Sequence, residues 1–362
     1  MWSPQQSHAL RTVLAWALDP FGKQVFRLFG YAGTGKTTLA REIANSISGA
    51  VLFASFTGKA ALVLRSKGCP GASTIHSLIY KVEEQDDGTV LFKLNQNSPV
   101  LAAKLVIIDE CSMVGDDLAR DLLSFGTKIL VLGDPAQLPP VSGTGFFTEA
   151  MPDVMLTEIH RQAADNPIIR LSMEVREGKR LCRGAYGDSK IIAGRPDPDD
   201  VLAADQVLVG TNRTRRGCNM RIRQLKCYAG TAPQQGERLV CLRNNREKGL
   251  LNGGLWTVEK ASLAHKLVTM DVSSQDDDTI TRPVPVDVPV EFFAGEEASL
   301  QYSYRRRYDE FDFGWALTCH KSQGSSWPNV MIFDESCVFR DQATRWLYTA
   351  ITRAAERITL VL

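Results

Sequence analysis

Residues 30–37 read GYAGTGKT and fit the pattern G-x-x-x-x-G-K-[ST]. An apolar run (25–29) precedes them and a helical stretch follows, which is the strand–loop–helix setting that this pattern requires. The glycines let backbone N–H groups close around phosphate oxygens, and the helix start adds the positive end of its dipole. Lys36 could then reach the β- and γ-phosphates, and Thr37 could bind Mg²⁺. The alternative is a glycine-rich turn that binds no nucleotide. The predicted nucleotide-binding residues of this loop are Gly33, Thr34, Gly35, Lys36, Thr37 and Thr38.

A second apolar run, residues 105–108, ends in two adjacent carboxylates, Asp109 and Glu110. Because ligands of open α/β sheets bind beyond the carboxyl ends of the strands, these carboxylates are expected beside the phosphate loop. Asp109 would complete the Mg²⁺ shell, and Glu110 would act as the base for the attacking water. On its own, such a pair is typical of a solvated strand end or a helix cap. Together with the loop it predicts a site that binds and hydrolyses MgATP, to which arginines from elsewhere would add charge stabilisation.

The alternation of short β-rich runs with helical stretches predicts an α/β fold with parallel sheets. A second α/β unit is expected to begin near residue 151, and it carries no phosphate loop of its own. Two insertions interrupt this plan. Residues 81–94 hold the turn sequence DDG between two strand-like runs and predict a β-hairpin. Residues 233–310 hold several short runs separated by turn signals and predict a small β-barrel.

Composition limits the classes of protein. The chain has 362 residues, 44% of them hydrophobic, and its 42 basic residues nearly balance 41 acidic ones, so any contact with nucleic acid must be a local surface. No apolar stretch has the roughly 20 residues needed to span a bilayer, and the start of the chain lacks the features of a secretory signal. We therefore expect a cytoplasmic protein without a membrane partner. The eight cysteines never lie two to four positions apart, so no protein-only metal site is expected.

Seven stretches occur in the order of the motifs of one enzyme family. They resemble superfamily 1B helicases, the RecD-like group that includes the small phage Dda-type enzymes. The stretches are residues 3–6 (SPQQ), 56–61 (FTGKAA), 72–78 (ASTIHSL), 132–140 (LGDPAQLPP), 158–162 (EIHRQ), 318–325 (TCHKSQGS) and 347–354 (LYTAITRA).

The resemblance implies roles for residues that no local pattern singles out. Gln6 would read adenine, and Gln137 would couple the γ-phosphate to the DNA site. Arg161 and Arg353 would be the arginine fingers, and Gly324 would lie in the nucleotide site. One position departs from the RecD-like pattern. Many RecD-like proteins carry a Glu that recognises the ribose, whereas this chain carries Ser326, as the Dda-type members do. Ribose recognition at this position is therefore not implied.

The resemblance also implies contacts with single-stranded DNA. The stretch 211–226 has six basic residues and no acidic one, which favours a phosphate contact but also suits a solvated helix face. Arg305, Arg306 and Arg307 are flanked by acidic residues and read as a salt-bridged surface. The DNA-binding residues expected from the motifs and this stretch are Thr57, Lys59, Thr74, His76, Thr211, Asn212, Arg215, His320, Lys321 and Ser322.

The predicted hairpin would be the pin that splits the duplex in this family. Phe92 could stack against the base pair at the fork. Because Val90, Phe92 and Leu94 alternate with period two, the alternative is that Phe92 belongs to the buried face of the hairpin.

Taken with the resemblance, the sequence predicts two RecA-like parallel-sheet domains, a small β-hairpin insertion and an inserted SH3-like β-barrel. The expected function is an ATP-dependent DNA helicase that uses Mg²⁺, moves 5′ to 3′ on single-stranded DNA and opens forked duplex DNA. We expect a monomer, with replication or recombination proteins as further partners. The alternatives are an RNA helicase of the same superfamily and a P-loop ATPase switch that unwinds nothing. The expected domains are 1–80 with 101–150, the hairpin 81–100, 151–232 with 311–362, and the barrel 233–310.

Overall fold

The computed structural model describes residues 2–84, 90–140, 145–158 and 166–362. The chain forms two compact units. The first consists of Met1–Lys179 and Thr344–Thr352, and the second of Arg180–Ala343 and Arg353–Leu362. Within the described ranges, no helix is long and apolar enough to cross a membrane.

The first unit contains a six-stranded sheet in the order β3-β2-β6-β7-β1-β8, in which every neighbouring pair is parallel. A separate antiparallel pair, β4 and β5, lies outside this sheet. The strands are β1 (Val25–Gly30), β2 (Val51–Ser55), β3 (Ser73–Thr74), β4 (Tyr80–Glu84), β5 (Val90–Leu94), β6 (Leu105–Asp109), β7 (Ile129–Gly133) and β8 (Val154–Leu156). The helices described along this stretch are α1 (Pro4–Leu18), α2 (Lys36–Asn45), α3 (Gly58–Ser66), α4 (Ile75–Ile79), α5 (Asp116–Leu123) and α6 (Pro167–Arg176).

Alternation along the central strands explains why both faces of this sheet are covered. In β6, Leu105 and Ile107 join one hydrophobic core, while Val106 and Ile108 join a second core. Since successive side chains of a strand point to opposite faces, a strand that is apolar throughout requires helices on both sides. The predicted parallel sheet is confirmed, and its carboxyl edge carries the candidate motifs.

The predicted hairpin is present but short. Strand β4 pairs antiparallel with β5, with Tyr80 opposite Leu94 and Val82 opposite Phe92. The pairing ends at Leu94, and Val100 is fully buried in a core of the first unit. The hairpin is therefore shorter than the predicted range 81–100, and the predicted turn sequence at 86–88 lies outside the described residues.

The second unit contains two sheets. The order of the first is β17-β11-β18-β19-β10-β9, parallel except for β9, and the order of the second is β15-β14-β13-β12-β16, antiparallel throughout. The strands are β9 (Gly184–Tyr186), β10 (Ser189–Ile192), β11 (Gln206–Val209), β12 (Arg238–Cys241), β13 (Leu255–Ala264), β14 (Leu267–Ser274), β15 (Val284–Pro289), β16 (Phe311–Phe313), β17 (Ala316–Thr318), β18 (Trp327–Phe333) and β19 (Ala354–Val361). The helices are α7 (Pro198–Ala203), α8 (Asn212–Leu225), α9 (Glu291–Ala294), α10 (Tyr302–Arg305) and α11 (Ala343–Ile351), and nearly all of α11 groups with the first unit.

Two predicted boundaries are wrong. The first unit does not end at residue 150, because β8 pairs with β1, with Val154 opposite Leu28, and the unit continues to Lys179. The inserted sheet does not end at residue 310, because β16 pairs with β12, with Phe313 opposite Leu239. Both errors concern strands of three residues, which are too short to show a periodic pattern.

Candidate nucleotide site and nucleic-acid surface

The glycine-rich loop joins β1 to α2 as predicted. Gly33 and Gly35 both have φ of 79°, the left-handed region that favours glycine, and Gly35 caps the start of α2. A Cβ on Gly30 would lie 2.6 Å from the Thr34 hydroxyl oxygen and 2.8 Å from the Leu156 Cβ. The loop is therefore tightly packed against its neighbours, and these glycines allow its close turn.

Lys36 lies over the carbonyl groups of its own loop. Its Nζ donates to the Gly30 carbonyl at 2.6 Å and to the Tyr31 carbonyl at 3.1 Å. The Thr34 hydroxyl also donates to the Tyr31 carbonyl, at 2.8 Å. The cation is thus held where the loop amides and the dipole of α2 favour an anion.

The predicted carboxylate pair lies beside α2. The Thr37 hydroxyl donates to Asp109 Oδ2 at 3.1 Å, and the Glu110 N–H donates to Asp109 Oδ1 at 2.9 Å. Glu110 has φ of 54°, a left-handed conformation that is uncommon for non-glycine residues. Burial and the neighbouring Glu110 raise the pKa of Asp109, while Lys36 opposes this rise.

The Thr37 hydroxyl and the Asp109 carboxylate suit Mg²⁺. Their oxygens lie together, and Mg²⁺ usually takes one or two protein oxygens and completes its shell with water and substrate phosphates. In the part of the chain that the structure describes, no cluster of three or more His, Cys, Asp or Glu could hold a metal by itself.

Tyr348, to which the sequence analysis assigned no role, links helix α11 to Asp134 and to the phosphate loop. Its hydroxyl donates to Asp134 Oδ2 at 2.7 Å and accepts the Ala32 N–H of the phosphate loop at 3.0 Å. On the same helix, the Thr349 hydroxyl accepts the Leu138 N–H at 2.9 Å. Tyr348 and Asp134 are 1% and 2% exposed. Burial and Asp134 raise the pKa of Tyr348, so the phenol stays protonated and can donate.

Gln6 contacts the loop in a way that sequence patterns did not predict. Its side chain forms a capping box with Ser3 at the start of α1, and its Nε2 donates to the Thr34 carbonyl at 3.0 Å. Gln6 is 3% exposed. The predicted adenine contact gains no support from this placement, in which Gln6 braces the loop. Gln137 is also buried, and its N–H donates to the Asp134 carbonyl.

Of the two predicted arginine fingers, Arg353 lies within the described residues and Arg161 does not. Arg353 belongs to the second unit, where it is buried and its Nη1 donates to the Ser325 carbonyl at 3.2 Å. Gly324, next to Ser325, has φ of 75°. Within the second unit, Arg353 is thus hydrogen-bonded to the end of the segment 318–325.

In the first unit, the predicted DNA contacts Thr57 and Thr74 begin helices. The Thr57 hydroxyl accepts the Ala60 N–H at the start of α3, and the Thr74 hydroxyl accepts the Ser77 N–H at the start of α4. Lys59 follows on α3 and is buried. The threonines thus place two helix starts at the carboxyl edge of the sheet.

Four aromatic rings join the hairpin to this edge. The His76 ring lies 5.8 Å from the rings of Phe56 and Tyr80 and 6.2 Å from that of Phe92. Tyr80 and Phe92 lie 5.8 Å apart, and the Tyr80 hydroxyl donates to Asp121 Oδ2 at 2.5 Å. Burial lowers the pKa of His76, so its ring is neutral near pH 7. Phe92 is 56% exposed, which argues against the buried-face alternative.

In the second unit, Thr211 caps α8, and its N–H and that of Gly210 donate to Glu335 Oε2. Asn212 accepts from Arg215 Nε at 3.2 Å. Arg215 is 6% exposed, and its guanidinium pairs with Asp312 at 2.7 Å. The predicted DNA contact of Arg215 gains no support, because its charge is used inside the unit.

The remaining predicted contacts follow β17. Burial lowers the pKa of His320, whose ring lies 5.7 Å from that of Phe339. Ser322 is buried and donates to the Cys319 carbonyl, whereas Lys321 is exposed. Lys321 is therefore the cation of this segment that a strand could reach.

The salt-bridge interpretation of residues 305–307 holds for Arg305, which pairs with Glu310 at 2.9 Å. A second cation of interest is Arg176 at the end of α6, whose guanidinium stacks 3.5 Å above the ring of Tyr31 in the phosphate loop. The sequence motifs could not predict this contact, because Arg176 and Tyr31 are far apart in the chain.

Comparison with known proteins identifies the family. A family model described as "AAA domain" matches residues 1–195, and one described as "UvrD-like helicase C-terminal domain" matches residues 313–361. The chain is 29% identical over 369 residues to the ATP-dependent RecD2 DNA helicase of Deinococcus radiodurans and 32% identical over 165 residues to the ATP-dependent DNA helicase dda of Enterobacteria phage T4. These alignments cover 93% and 41% of this chain but 46% and 37% of the relatives, so the chain spans less than half of either relative's length.

A solved structure shows the same fold. The crystal structure of Bacteroides Pif1 bound to ssDNA superposes with a TM-score of 0.59 at 17% identity, covering 99% of this chain and 92% of that chain. The fold thus consists of RecA-type α/β domains with parallel sheets, as predicted. With one family model covering more than half of its length, the chain belongs to the AAA-domain family. The predicted resemblance to superfamily 1B helicases of the RecD-like and Dda-type group is supported by its similarity to RecD2 and dda.

Proposed function

We propose that this chain is an ATP-dependent DNA helicase that moves on single-stranded DNA and opens duplex DNA. The observation that carries the proposal is the placement of Lys36 in the phosphate loop with the Thr37 hydroxyl 3.1 Å from Asp109 and Glu110 directly following. This arrangement supplies a phosphate cradle, an Mg²⁺ position and a general base. Relatives named as ATP-dependent DNA helicases support the same activity.

Each residue of the site has a distinct task in this proposal. Lys36 would leave the loop carbonyls to bind the β- and γ-phosphates. Thr37 and Asp109 would hold Mg²⁺, which neutralises phosphate charge when it is bound. Glu110 would take a proton from the attacking water. Gln137 would link the phosphates to the strand.

Arg161 and Arg353 would stabilise the charge that develops on the γ-phosphoryl group, an effect worth about 10³ to 10⁵ in rate. Because such arginines interact with γ-phosphate only while it is present, the nucleotide has different affinities for two states of the protein. Such a difference can drive a conformational cycle.

The strand-binding surface would include the aromatic rings of Phe56 and His76, on which bases can stack, and the exposed cation Lys321. We further propose that the hairpin is the pin that separates the strands, since Phe92 projects from it with more than half of its surface exposed. We propose that the chain moves 5′ to 3′ along the strand, as the family resemblance implies. A structural relative holds single-stranded DNA, which supports a strand as the partner.

We also propose that the inserted sheet is an SH3-like barrel. Its edge strands approach each other, because the Asp309 N–H, two residues before β16, donates to the Asp287 carbonyl of β15 at 2.9 Å. The inner side chains of the five strands form one hydrophobic core that includes Trp256 and Phe311. A closed barrel would cover its edge strands, which favours a stable insertion. We propose a cytoplasmic monomer that works with replication or recombination proteins.

The test is ATP hydrolysis measured with single-stranded DNA, with single-stranded RNA and without polymer. A helicase that moves on DNA should be stimulated by DNA. Equal stimulation by RNA would favour an RNA helicase, and hydrolysis that ignores both polymers would favour a P-loop switch. No hydrolysis under any condition would contradict the proposal.

A further inference from the structure

The peptide unit between Tyr31 and Ala32 is hydrogen-bonded at both ends. Its carbonyl accepts from Lys36 Nζ at 3.1 Å and from the Thr34 hydroxyl at 2.8 Å. Its N–H donates to the Tyr348 hydroxyl at 3.0 Å. The orientation of this peptide plane therefore sets one of the two carbonyl contacts of the Lys36 ammonium, and the Gly30 carbonyl provides the other at 2.6 Å.

Tyr348 is itself firmly held. Tyr348 is 1% exposed, and its hydroxyl donates a hydrogen bond to Asp134. The Asp134 carboxylate also accepts the Ala136 N–H at 3.0 Å. A phenol that donates its proton to a carboxylate can still accept a hydrogen bond through an oxygen lone pair. Here the Ala32 N–H donates that bond. A fixed acceptor in this place fixes the direction of the Ala32 N–H.

We propose that Tyr348 is a positioning residue of the nucleotide site, whose hydroxyl fixes the Tyr31–Ala32 peptide and with it the arrangement of the loop amides that close around phosphates. If the peptide turned over, the carbonyl would leave the ammonium, and the positive end of the N–H dipole would face it. The loop amides that close around phosphates would then lose their arrangement. This inference rests on the proposed function, because it gives Tyr348 a role in binding the nucleotide that drives the motor.

The substitution Tyr348→Phe tests this role. It keeps the buried ring and removes only the acceptor of the Ala32 N–H and the donor to Asp134. We expect the full chain to bind the magnesium complex of AMPPNP about tenfold more weakly, which corresponds to ~1.4 kcal/mol, the size of one hydrogen bond. Turnover at saturating ATP should change less than about threefold, so the loss should appear in KM rather than in kcat. The matched control is Tyr186→Phe, which removes a hydroxyl that donates to the Cys182 carbonyl within the second unit.

A double-mutant comparison separates the two partners of the hydroxyl. Asp134→Ala removes the carboxylate to which Tyr348 donates and leaves the contact with Ala32, so Tyr348→Phe should still weaken AMPPNP binding about tenfold in that background. Loss of the effect there would mean that Tyr348 acts through Asp134, and the proposal would be overturned. Unchanged AMPPNP affinity in folded Tyr348→Phe would overturn it as well. If the wild-type chain does not bind AMPPNP, the proposed function itself fails.

The wild-type chain provides a test that needs no variant. With ¹⁵N-alanine labelling, the Ala32 amide should exchange with solvent at least about tenfold more slowly than an exposed amide, because it donates to a buried acceptor. Exchange as fast as that of an exposed amide would contradict the contact and the proposal. This measurement decides the question even if Tyr348→Phe fails to fold.

Discussion

Replacing Phe92 by alanine separates the two roles that a hairpin aromatic residue can have. The ring is 56% exposed and contacts His76 and Tyr80 from one side. Full burial of such a side chain is worth about 1.5 to 3 kcal/mol, so the buried part contributes about 1 kcal/mol. For a unit of this size the melting temperature should fall by about 2 to 4 °C.

The effect on strand separation should be larger. Stacking of a base on an aromatic ring is worth about 1 to 3 kcal/mol, which corresponds to unwinding slowed by roughly five- to 150-fold. The assay compares the rate of opening of a fluorescent forked duplex with ATP hydrolysis on single-stranded DNA, which should change less than about twofold. Leu91→Ala is the matched control, because Leu91 is the neighbouring exposed apolar residue and points to the other face of β5.

Two results would refute this reasoning. Equal losses of unwinding and of DNA-stimulated hydrolysis would show that Phe92 does not act at the fork. A fall in melting temperature well above about 4 °C would show that its ring supports the core of the unit instead.

Three further predictions test other parts of the account. Glu110→Gln should keep ATP binding and reduce turnover by about 10² to 10⁴, and an active variant would exclude Glu110 as the base. Glu237→Gln should lower the free energy of unfolding of the second unit in urea by about 3 to 5 kcal/mol, because Arg223 is 1% exposed and pairs with Glu237 at 2.6 Å; a loss below about 1 kcal/mol would contradict this. Burial lowers the pKa values of His76 and His320, so below the ordinary histidine pKa of about 6.5 the unfolded chain binds protons that the folded chain does not. The free energy of unfolding should therefore fall as pH drops below 6.5, and replacing either histidine by Phe should reduce this slope, as urea titrations at several pH values would show.

Much of the fold follows from apolar patterns. Strands β1 and β6 extend only one residue beyond the predicted runs 25–29 and 105–108, because a strand that is buried on both faces, such as β6, is apolar nearly throughout. The boundary near residue 151 was wrong because β8 has three residues and pairs with a strand far away in the chain. Pairing between distant short segments leaves no local signal.

The chemistry of the nucleotide site was predictable where it depends on neighbours in sequence. The phosphate loop and the carboxylate pair are each formed by consecutive residues, and they lie together as expected because β1 and β6 end at the same edge of one parallel sheet. Burial was not predictable: Arg215 lies in a basic stretch typical of DNA contacts, yet its charge pairs with Asp312 inside the unit. Tyr348 stood within a family-like motif, but only the structure shows that its hydroxyl touches the phosphate loop.

In the proposed function, ATP hydrolysis at the site that holds Lys36 moves the chain along a DNA strand. The most direct test measures unwinding of two forked duplexes, one with a 5′ single-stranded tail and one with a 3′ tail, by the wild-type chain and by Lys36→Ala. We predict opening from the 5′ tail with ATP and none with Lys36→Ala. A wild-type chain that hydrolyses ATP on single-stranded DNA but opens neither substrate would contradict the claim.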